Sequence, residues 1–331
     1  MMKKFLLLLI AAFFLVPVLY SCDDDKNPKN GDTSAQSDSD NSAPVAFGLN
    51  LEKGKTYRFS MATDQAMNVQ SVQGLIKTNT KMGYEFSYKV NSVNDEGVAA
   101  ITIKYENIFY ETVTPQGSLS YDSKNPPAQI PPSLKGYSAV LGNSFDIELS
   151  PQGKVSAVTG LDKIVEAILA LGDFKSPEEK TMAERQVRSQ FSVDIMSQNV
   201  ENIFFFFPGK DVTVGDSWVK ENYISAGVPR IMNYTWTLKS VENGLATISA
   251  NATIKNDPTM SKHAQGEMVR EIKAVGQQAG TIVVNLNTGW VQTVDMEQTY
   301  QSTVTVTGAP QSDQPQVQTV EMKSVETYRS L

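Results

Sequence analysis

Tyr84, Phe86, Tyr88 and Val90 alternate with polar neighbours, and after Asn94-Asp95-Glu96-Gly97 the pattern resumes as Ala99, Ile101, Ile103 and Tyr105. A period of two on either side of a turn-forming tetrapeptide specifies a β-hairpin with one apolar face. That face must be buried against something, so the rest of the chain has to supply more sheet or a cover. More sheet is predicted first. Leu49-Asn50-Leu51 leads through Gly54-Lys55-Thr56 into Tyr57, Phe59 and Met61, and Phe145, Ile147 and Leu149 are interrupted by Ser150-Pro151-Gln152-Gly153 before Val155 and Val158. The stretch holding Val69, Val72, Leu75 and Ile76 is less regular. From Ile108 to Leu141 the period fades among Pro115, Gly117, Pro126, Pro127, Pro131 and Pro132, which predicts a long irregular connection there.

Between residues 161 and 207 the period changes. Leu161, Ile164, Val165, Ile168, Leu169 and Leu171 recur at helical spacing and Gly172 ends the run. Ser176-Pro177-Glu178-Glu179 then reads as a helix start, with a capping serine, proline in the first turn and acids at the positive end of the helix dipole. The stripe Met182, Ala183, Val187, Phe191, Ile195 and Met196 completes a second helix, and Phe204 to Phe207 with Pro208 form a buried strand or elbow.

After Pro208 the first half returns in outline. Gly215-Asp216-Ser217-Trp218 repeats Gly54-Lys55-Thr56-Tyr57, and Tyr234, Trp236 and Leu238 repeat Phe86, Tyr88 and Val90. Ser240-Val241 follows as Ser92-Val93 does, and Ala246, Ile248 and Ala250 stand for Ala99, Ile101 and Ile103. Leu286, Gly289 and Val291 are read as Leu149, Gly153 and Val155 with one residue deleted. Strands at Ile282 to Leu286 and Tyr300 to Val306, then a turn around Gly308 to Pro315 and a last strand through Val320, Met322 and Val325, complete the pattern. The expected fold is mainly β (α+β): a two-repeat curved antiparallel sheet, or half-barrel, with a central inserted helix pair. Residues 44–331 form one globular domain of two related units, 44–160 and 208–331, joined by a helical segment, 161–207.

The N-terminus sets the compartment. Lys3-Lys4 precede an uncharged run from Phe5 to Leu19, and Ser21-Cys22 follow. This layout, with the chain's single cysteine after a small residue, resembles the signal peptide and lipobox of bacterial lipoproteins. The resemblance implies a leader over residues 1–21 and acylation of Cys22, with several chains holding the protein firmly to a membrane. Residues 22–43 begin Asp23-Asp24-Asp25 and contain no large apolar side chain, so they form a disordered acidic tether reaching on the order of 25 Å by coil scaling. The acidic start resembles the signal that sends Bacteroidota lipoproteins to the outer face of the outer membrane. The expected location is therefore the outer membrane, at the cell surface or alternatively on the periplasmic face. One cysteine leaves no internal disulfide. A net charge of −7 without any Lys/Arg cluster argues against a nucleic-acid partner.

Chemistry-bearing motifs are scarce. His263 is the one histidine and sits in a polar stretch, so a Cys/His metal site is ruled out by counting. There is no nucleophile elbow, phosphate-cradling glycine loop or calcium loop. No enzyme, metal or cofactor is expected. The Leu-x-x-Gly-x-x-Tyr at Leu51 to Tyr57, the Ser-Pro-x-Gly at Ser150 to Gly153, the Gly-Asp-Ser-Trp at Gly215 to Trp218 and the Thr-Gly-Trp at Thr288 to Trp290 together resemble an uncharacterised family of exported Bacteroidota lipoproteins. That resemblance implies location and fold and carries no catalytic residue. A looser resemblance, of architecture alone, is to the carriers and acceptors of bacterial lipoprotein transport, whose curved sheet wraps helices around an apolar cavity. The expected function is a non-enzymatic binding protein for a lipid or other hydrophobic ligand, held by Phe86, Tyr88, Trp236 and Leu238. The alternative is a surface accessory for glycan or protein capture through Phe109, Tyr110, Tyr121 and Tyr137; protein partners are not specified by the sequence.

Overall fold

The computed structural model describes residues 43–224, 229–259, 262–265, 268–308 and 314–331. The expected leader, Cys22 and the tether up to residue 42 lie outside the described residues. The hairpin that dominates the sequence is built from β2 (Gly74–Val93) and β3 (Ala99–Thr114), with Phe86 opposite Tyr105, Tyr88 opposite Ile103 and Val90 opposite Ile101. β1 (Thr56–Ser71) pairs with β2 along its whole length, so the less regular stretch is continuous strand turning at Val72-Gln73. β3 likewise runs on to Thr114 and turns at Pro115-Gln116 into β4 (Gly117–Asp122), so part of the expected irregular connection is sheet. Loop follows only from 123 to 131, then a 3-10 turn at Pro132–Leu134 and α1 (Lys135–Val140). Alternation fades there because the outer ends of these strands carry polar β-formers on both faces. Thr80 and Thr112, whose hydroxyls lie 3.3 Å apart across the pair, are an example.

β5 (Ser144–Leu149) and β6 (Val155–Thr159) close the first half. The second half contains β7 (Ser217–Ile224), β8 (Arg230–Glu242), β9 (Leu245–Asn256), β10 (Lys262–Gln265), β11 (Met268–Asn285), β12 (Val291–Thr307) and β13 (Gln316–Ser330). All belong to one antiparallel sheet of 13 strands in the order β6-β5-β3-β2-β1-β13-β12-β11-β9-β8-β7, with β4 on β3 and β10 on β11. β6 and β7 end the path and do not pair with each other, so the sheet stays open. A twisted open sheet of more than about ten strands has to curl. Bulges at Val90/Ser92 and Leu238/Ser240 add twist at matching places in β2 and β8. Gly276 and Gly280 let β12 approach β11: a Cβ on them would meet the Thr299 and Asp295 carbonyl oxygens at 2.4 and 2.0 Å. The register places Val284 opposite Val291, as Leu149 is opposite Val155; Val284, not Leu286, therefore takes the place expected for Leu286.

The segment between β6 and β7 holds three helices where a pair was expected: α2 (Leu161–Leu169), α3 (Pro177–Gln190) and α4 (Val193–Ile203). Ser176 Oγ accepts from Glu179 N at 3.2 Å, as the sequence predicts for the start of α3. The stripe read as one helix breaks at Phe191, because Ser192 is extended and caps α4 by accepting from Ile195 N at 3.3 Å. α4 packs on β6, and Glu201 on it accepts from Val155 N at 2.8 Å, so a backbone donor of the terminal strand is satisfied by a helix side chain. Phe204 to Phe207 form the expected elbow, with Phe207 N bonded to Phe204 O at 3.1 Å.

Residues 45–51 cross the turn end of the sheet. Val45 bridges Val212, Leu49 N donates to Pro151 O at 2.7 Å, and Asn50 N donates to Thr288 O at 3.0 Å. One short segment thus ties together a turn from each half. It passes so close to Gly289 that a Cβ there would lie 2.1 Å from Gly48 O, and Gly289 also has φ +69°. Gly54 has a similar φ, +84°, but open space where a Cβ would go. Gly54→Ala is expected to cost about 1 kcal/mol, the left-handed backbone alone. Gly289→Ala is expected to cost at least about 3 kcal/mol, because backbone must move as well. Urea midpoints of the two variants measure the difference, and equal midpoints would contradict the crossing.

Candidate functional site

The concave face of the sheet is read directly from the pairing. Phe59 and Met61 of β1, Tyr84, Phe86 and Tyr88 of β2, Tyr234 and Trp236 of β8, Ile282 of β11, Met296 of β12 and Tyr328 of β13 all point inward. With Met196, Val200 and Ile203 of α4 opposite, they line a partly open cavity of about 130 Å³. Rings form much of its wall. Phe86 lies 4.9 Å from Tyr105, and Trp236 stacks on Tyr234 at 4.9 Å with their planes 2° apart. Phe206, from the elbow, meets Trp236 edge-on at 6.4 Å. Below the cavity Trp290 packs against Tyr57, Tyr88 and Phe204 at 4.8, 5.2 and 5.7 Å and closes the turn end.

Of the four residues expected to hold a ligand, Phe86, Tyr88 and Trp236 stand together in this wall. Leu238 does not. It shares the inward face of Trp236 but is fully buried one row nearer the base, and its backbone holds the Gly215 turn, with N donating to Asp216 O at 3.0 Å and O accepting from Gly215 N at 2.8 Å. The Gly-Asp-Ser-Trp tetrad is a turn that delivers Trp218 to the core, where its Nε1 donates to Phe206 O at 2.7 Å. The aromatics expected on a capture surface are also placed otherwise. Tyr110 and Tyr121 both stack on Tyr137, at 5.3 and 6.2 Å, and all three are buried; only Phe109 is half-exposed. His263 falls on β10, and its side chain lies outside the described residues. Among the described residues no three His, Cys, Asp or Glu side chains gather closely enough to hold a metal ion.

The polar part of the site was not foreseen. Glu326 of β13 points into the cavity beside Tyr328, is 8% exposed, and has no hydrogen bond or ion pair among the described residues. Burial pushes its carboxyl up to about 7. Burial also raises the Tyr234 and Tyr328 phenols, the nearby Glu326 adding to it, so both stay protonated. One row toward the hairpin tips, Gln65, Ser324, Gln298 and Gln278 are paired side by side across β1, β13, β12 and β11, all buried. Tyr234 donates its hydroxyl hydrogen to Gln278 Oε1 at 2.9 Å. On α4, both amide atoms of Asn199 are buried without a partner. The cavity therefore has an apolar base and a polar upper side. The sequence signal was available in β13. Val320, Met322 and Tyr328 share one face, so strict alternation sends Ser324 and Glu326 inward and Val325 outward.

A carboxyl held more basic than in the unfolded chain binds its proton more tightly when folded. Its share of stability is complete below the unfolded value, near 4.5, falls as pH rises toward 7, and stays lost above that. The difference amounts to about 3 kcal/mol. Glu326→Gln is therefore expected to match the parent near pH 4 and to exceed it by up to about 3 kcal/mol near pH 8 in denaturant titrations. A constant difference across that range would show that Glu326 is not buried as described.

Three solved structures align with most of the chain but superpose poorly. OpdQ and OccK7 (OpdD) of Pseudomonas aeruginosa are 6% and 5% identical, each with a TM-score of 0.18 over 84% of this chain and 99% of theirs. The outer membrane protein Omp33 of Acinetobacter baumannii is 7% identical, with a TM-score of 0.14 over 84% of this chain and all of its own. These scores are too low to bear on fold or function. No curated protein matches the sequence. A family model does match, over residues 96–291, from the β2–β3 turn to the start of β12; it takes in α4, β8 and β11, while the wall residues of β1, β2, β12 and β13 lie outside it. The chain belongs to the family of unknown function DUF6263.

Proposed function

We propose that this chain is a non-enzymatic cell-envelope protein that takes an apolar ligand into the cavity between the curved sheet and α4. The observation that carries the reading is the cavity itself. Protein interiors are close-packed, with few voids larger than a water molecule. An apolar recess of about 130 Å³ leaves ring and aliphatic surface without packing partners, and a guest of matching size supplies them and takes that surface out of water. The volume is near that of an engineered apolar cavity that accepts benzene and below the roughly 300 Å³ at which drug-sized pockets begin. The guest is accordingly a ring-sized molecule or a short length of one acyl chain. A complete lipid does not fit inside.

The envelope location rests on the sequence: Lys3-Lys4, the apolar run, Ser21-Cys22 and the acidic stretch after it. In this reading acyl chains on Cys22 hold the protein to the outer membrane, and the tether spaces the domain from the lipid. The two β units, 44–160 and 208–331, are read as a duplication. The strand orders β6-β5-β3-β2-β1 and β12-β11-β9-β8-β7 support it, as do the matching bulges. Gly54 N donates to Val90 O and Gly215 N to Leu238 O, both at 2.8 Å. A duplicated sheet places an inward aromatic pair in each half, and the cavity lies where the two pairs face α4.

The chain from Asp23 onward keeps every described element and needs no detergent. Titrated with hexanol, it is expected to bind with a Kd on the order of 1 mM, near −4 kcal/mol for a ligand of this size. Thermal unfolding should shift upward in step with occupancy. Val200→Phe, which projects a ring into the cavity from α4, is expected to weaken hexanol binding at least tenfold while keeping a cooperative melt. A parent chain whose unfolding ignores hexanol, and which carries no apolar molecule in native mass spectra, would leave the reading unsupported.

A further inference from the structure

The cavity has one side that an apolar guest alone would leave unsatisfied. Glu326 is more than nine-tenths buried, faces the cavity, and has no hydrogen bond or ion pair among the described residues. A buried polar group without a partner costs roughly 1–3 kcal/mol, so a side chain left this way beside a void marks a contact to be made. The other amide side chains lining the cavity are Gln278 and, on α4, Asn199 and Asn202. Gln278 is one row and two strands from Glu326, roughly 10 Å along the sheet and closer across its concave side. A carboxamide both donates and accepts, as does a protonated carboxyl. The amides donate and accept and an ionised carboxyl accepts, so together they complement an uncharged end group that carries both N–H and C=O.

We propose that the ligand of this cavity is a short alkyl or acyl chain ending in a carboxamide, whose N–H donates to Glu326 and whose C=O accepts from the neighbouring side-chain amides while the chain lies against Phe86, Tyr88 and Trp236. The proposal rests on the cavity reading above and gives the ligand its chemical class. A free carboxylate is disfavoured, because it would bring a second negative group to an unpaired buried acid. A cation is not favoured either. Lys220 already lies 5.1 Å from the Phe205 ring at the cavity's edge, and Arg230 lies over Tyr300 on the same face of the sheet. The remaining ionisable groups at Glu326 are the Tyr234 and Tyr328 phenols, which stay neutral.

Hexanamide, hexanol and hexanoate differ only in the end group. Each is titrated at about pH 8 into the chain from Asp23 onward. The Trp236 indole proton resonance, assigned with Trp236→Phe, follows occupancy of the wall. Hexanamide is expected to bind about fivefold more tightly than hexanol, the worth of one additional net hydrogen bond. Hexanoate is expected to bind at least about tenfold more weakly than hexanol, since its charge is buried beside another. Glu326→Met should remove the preference for the amide while hexanol still binds, and Glu326→Gln should keep that preference while lifting the penalty on hexanoate. Equal binding of hexanamide and hexanol by the parent protein overturns the proposal, whether or not the variants fold. Tighter binding of hexanoate also overturns it and places the end group at Lys220. If hexanol fails to bind, the cavity reading falls and this proposal with it; if hexanol binds without any end-group preference, only this proposal falls.

Discussion

Trp290 is the side chain on which the rest of the arrangement depends. An open sheet of 13 strands has no closing ladder to fix its curvature, so something else must hold its two halves to a common centre. At the turn end that centre is the indole of Trp290, buried from solvent and in contact with rings from β1, β2 and the elbow after α4. Aromatic pairs contribute on the order of 1 kcal/mol each beyond the area they bury, and here they join the first half, the helical segment and the second half at one point. The backbone adds to the same junction, because residues 45–51 bond to a turn from each half immediately beside Gly289. Curvature above the base follows from this clamp together with the bulges in β2 and β8.

The clamp also explains why a cavity survives. The rings at the base and the row of Gln65, Ser324, Gln298 and Gln278 bound the concave face below and above, and α4 crosses between them. α4 is anchored by Glu201 to β6 and by the Phe204–Phe207 elbow to the base, so it cannot settle freely onto the sheet. The distance between helix and sheet is thus set at the ends of α4, whereas the volume between them is set by the side chains of Phe86, Trp236, Met196 and Val200. Geometry fixed by one set of contacts and volume by another leaves space that no collapse removes. This differs from the relaxation by which a core usually shrinks an unfilled site.

Much of this arrangement was legible in the sequence wherever one face of a strand is buried and the other is wet. The β2–β3 hairpin, the inward aromatics of β8 and the capped start of α3 fall in that class. The outer halves of β1, β2 and β3 did not show, because beyond the core both faces are polar and alternation has nothing to report. Pairing there is sustained by the backbone ladder and by threonine-rich faces, as at Thr80 and Thr112. The break between α3 and α4 was masked for the opposite reason. Phe191 and Met196 are both buried, so the apolar stripe continues through a serine that ends one helix and caps the next. In the site, Phe86, Tyr88 and Trp236 were found as large apolar residues on a strand face, whereas Glu326 was passed over because Val325 was taken for the inward residue. A register slip of one position exchanges the faces of a strand, and here it hid the one carboxyl that lines the cavity among the described residues.

The placement of polar and apolar groups along the sheet has a direction relative to the point where the chain enters the domain. All the turns tied by residues 45–51, and the C-terminal residue Leu331 bonded to Arg58 O, are at the base. The β1–β2 tip lies at the other end, with Val72, Leu75 and Ile76 exposed. The chain therefore enters the domain at the end sealed by Trp290, and the polar upper side of the cavity faces away from that entry. A ligand carrying one apolar and one hydrogen-bonding end has a single orientation that satisfies both sides: chain toward the base, end group toward the tips. Reversal would bury the polar end among Tyr88, Phe206 and Trp236 and leave Glu326 against hydrocarbon, with the desolvation of both groups uncompensated. Orientation in this cavity is consequently imposed by the order of side chains along β13, where Tyr328 belongs to the base, Glu326 to the middle and Ser324 to the polar row above it.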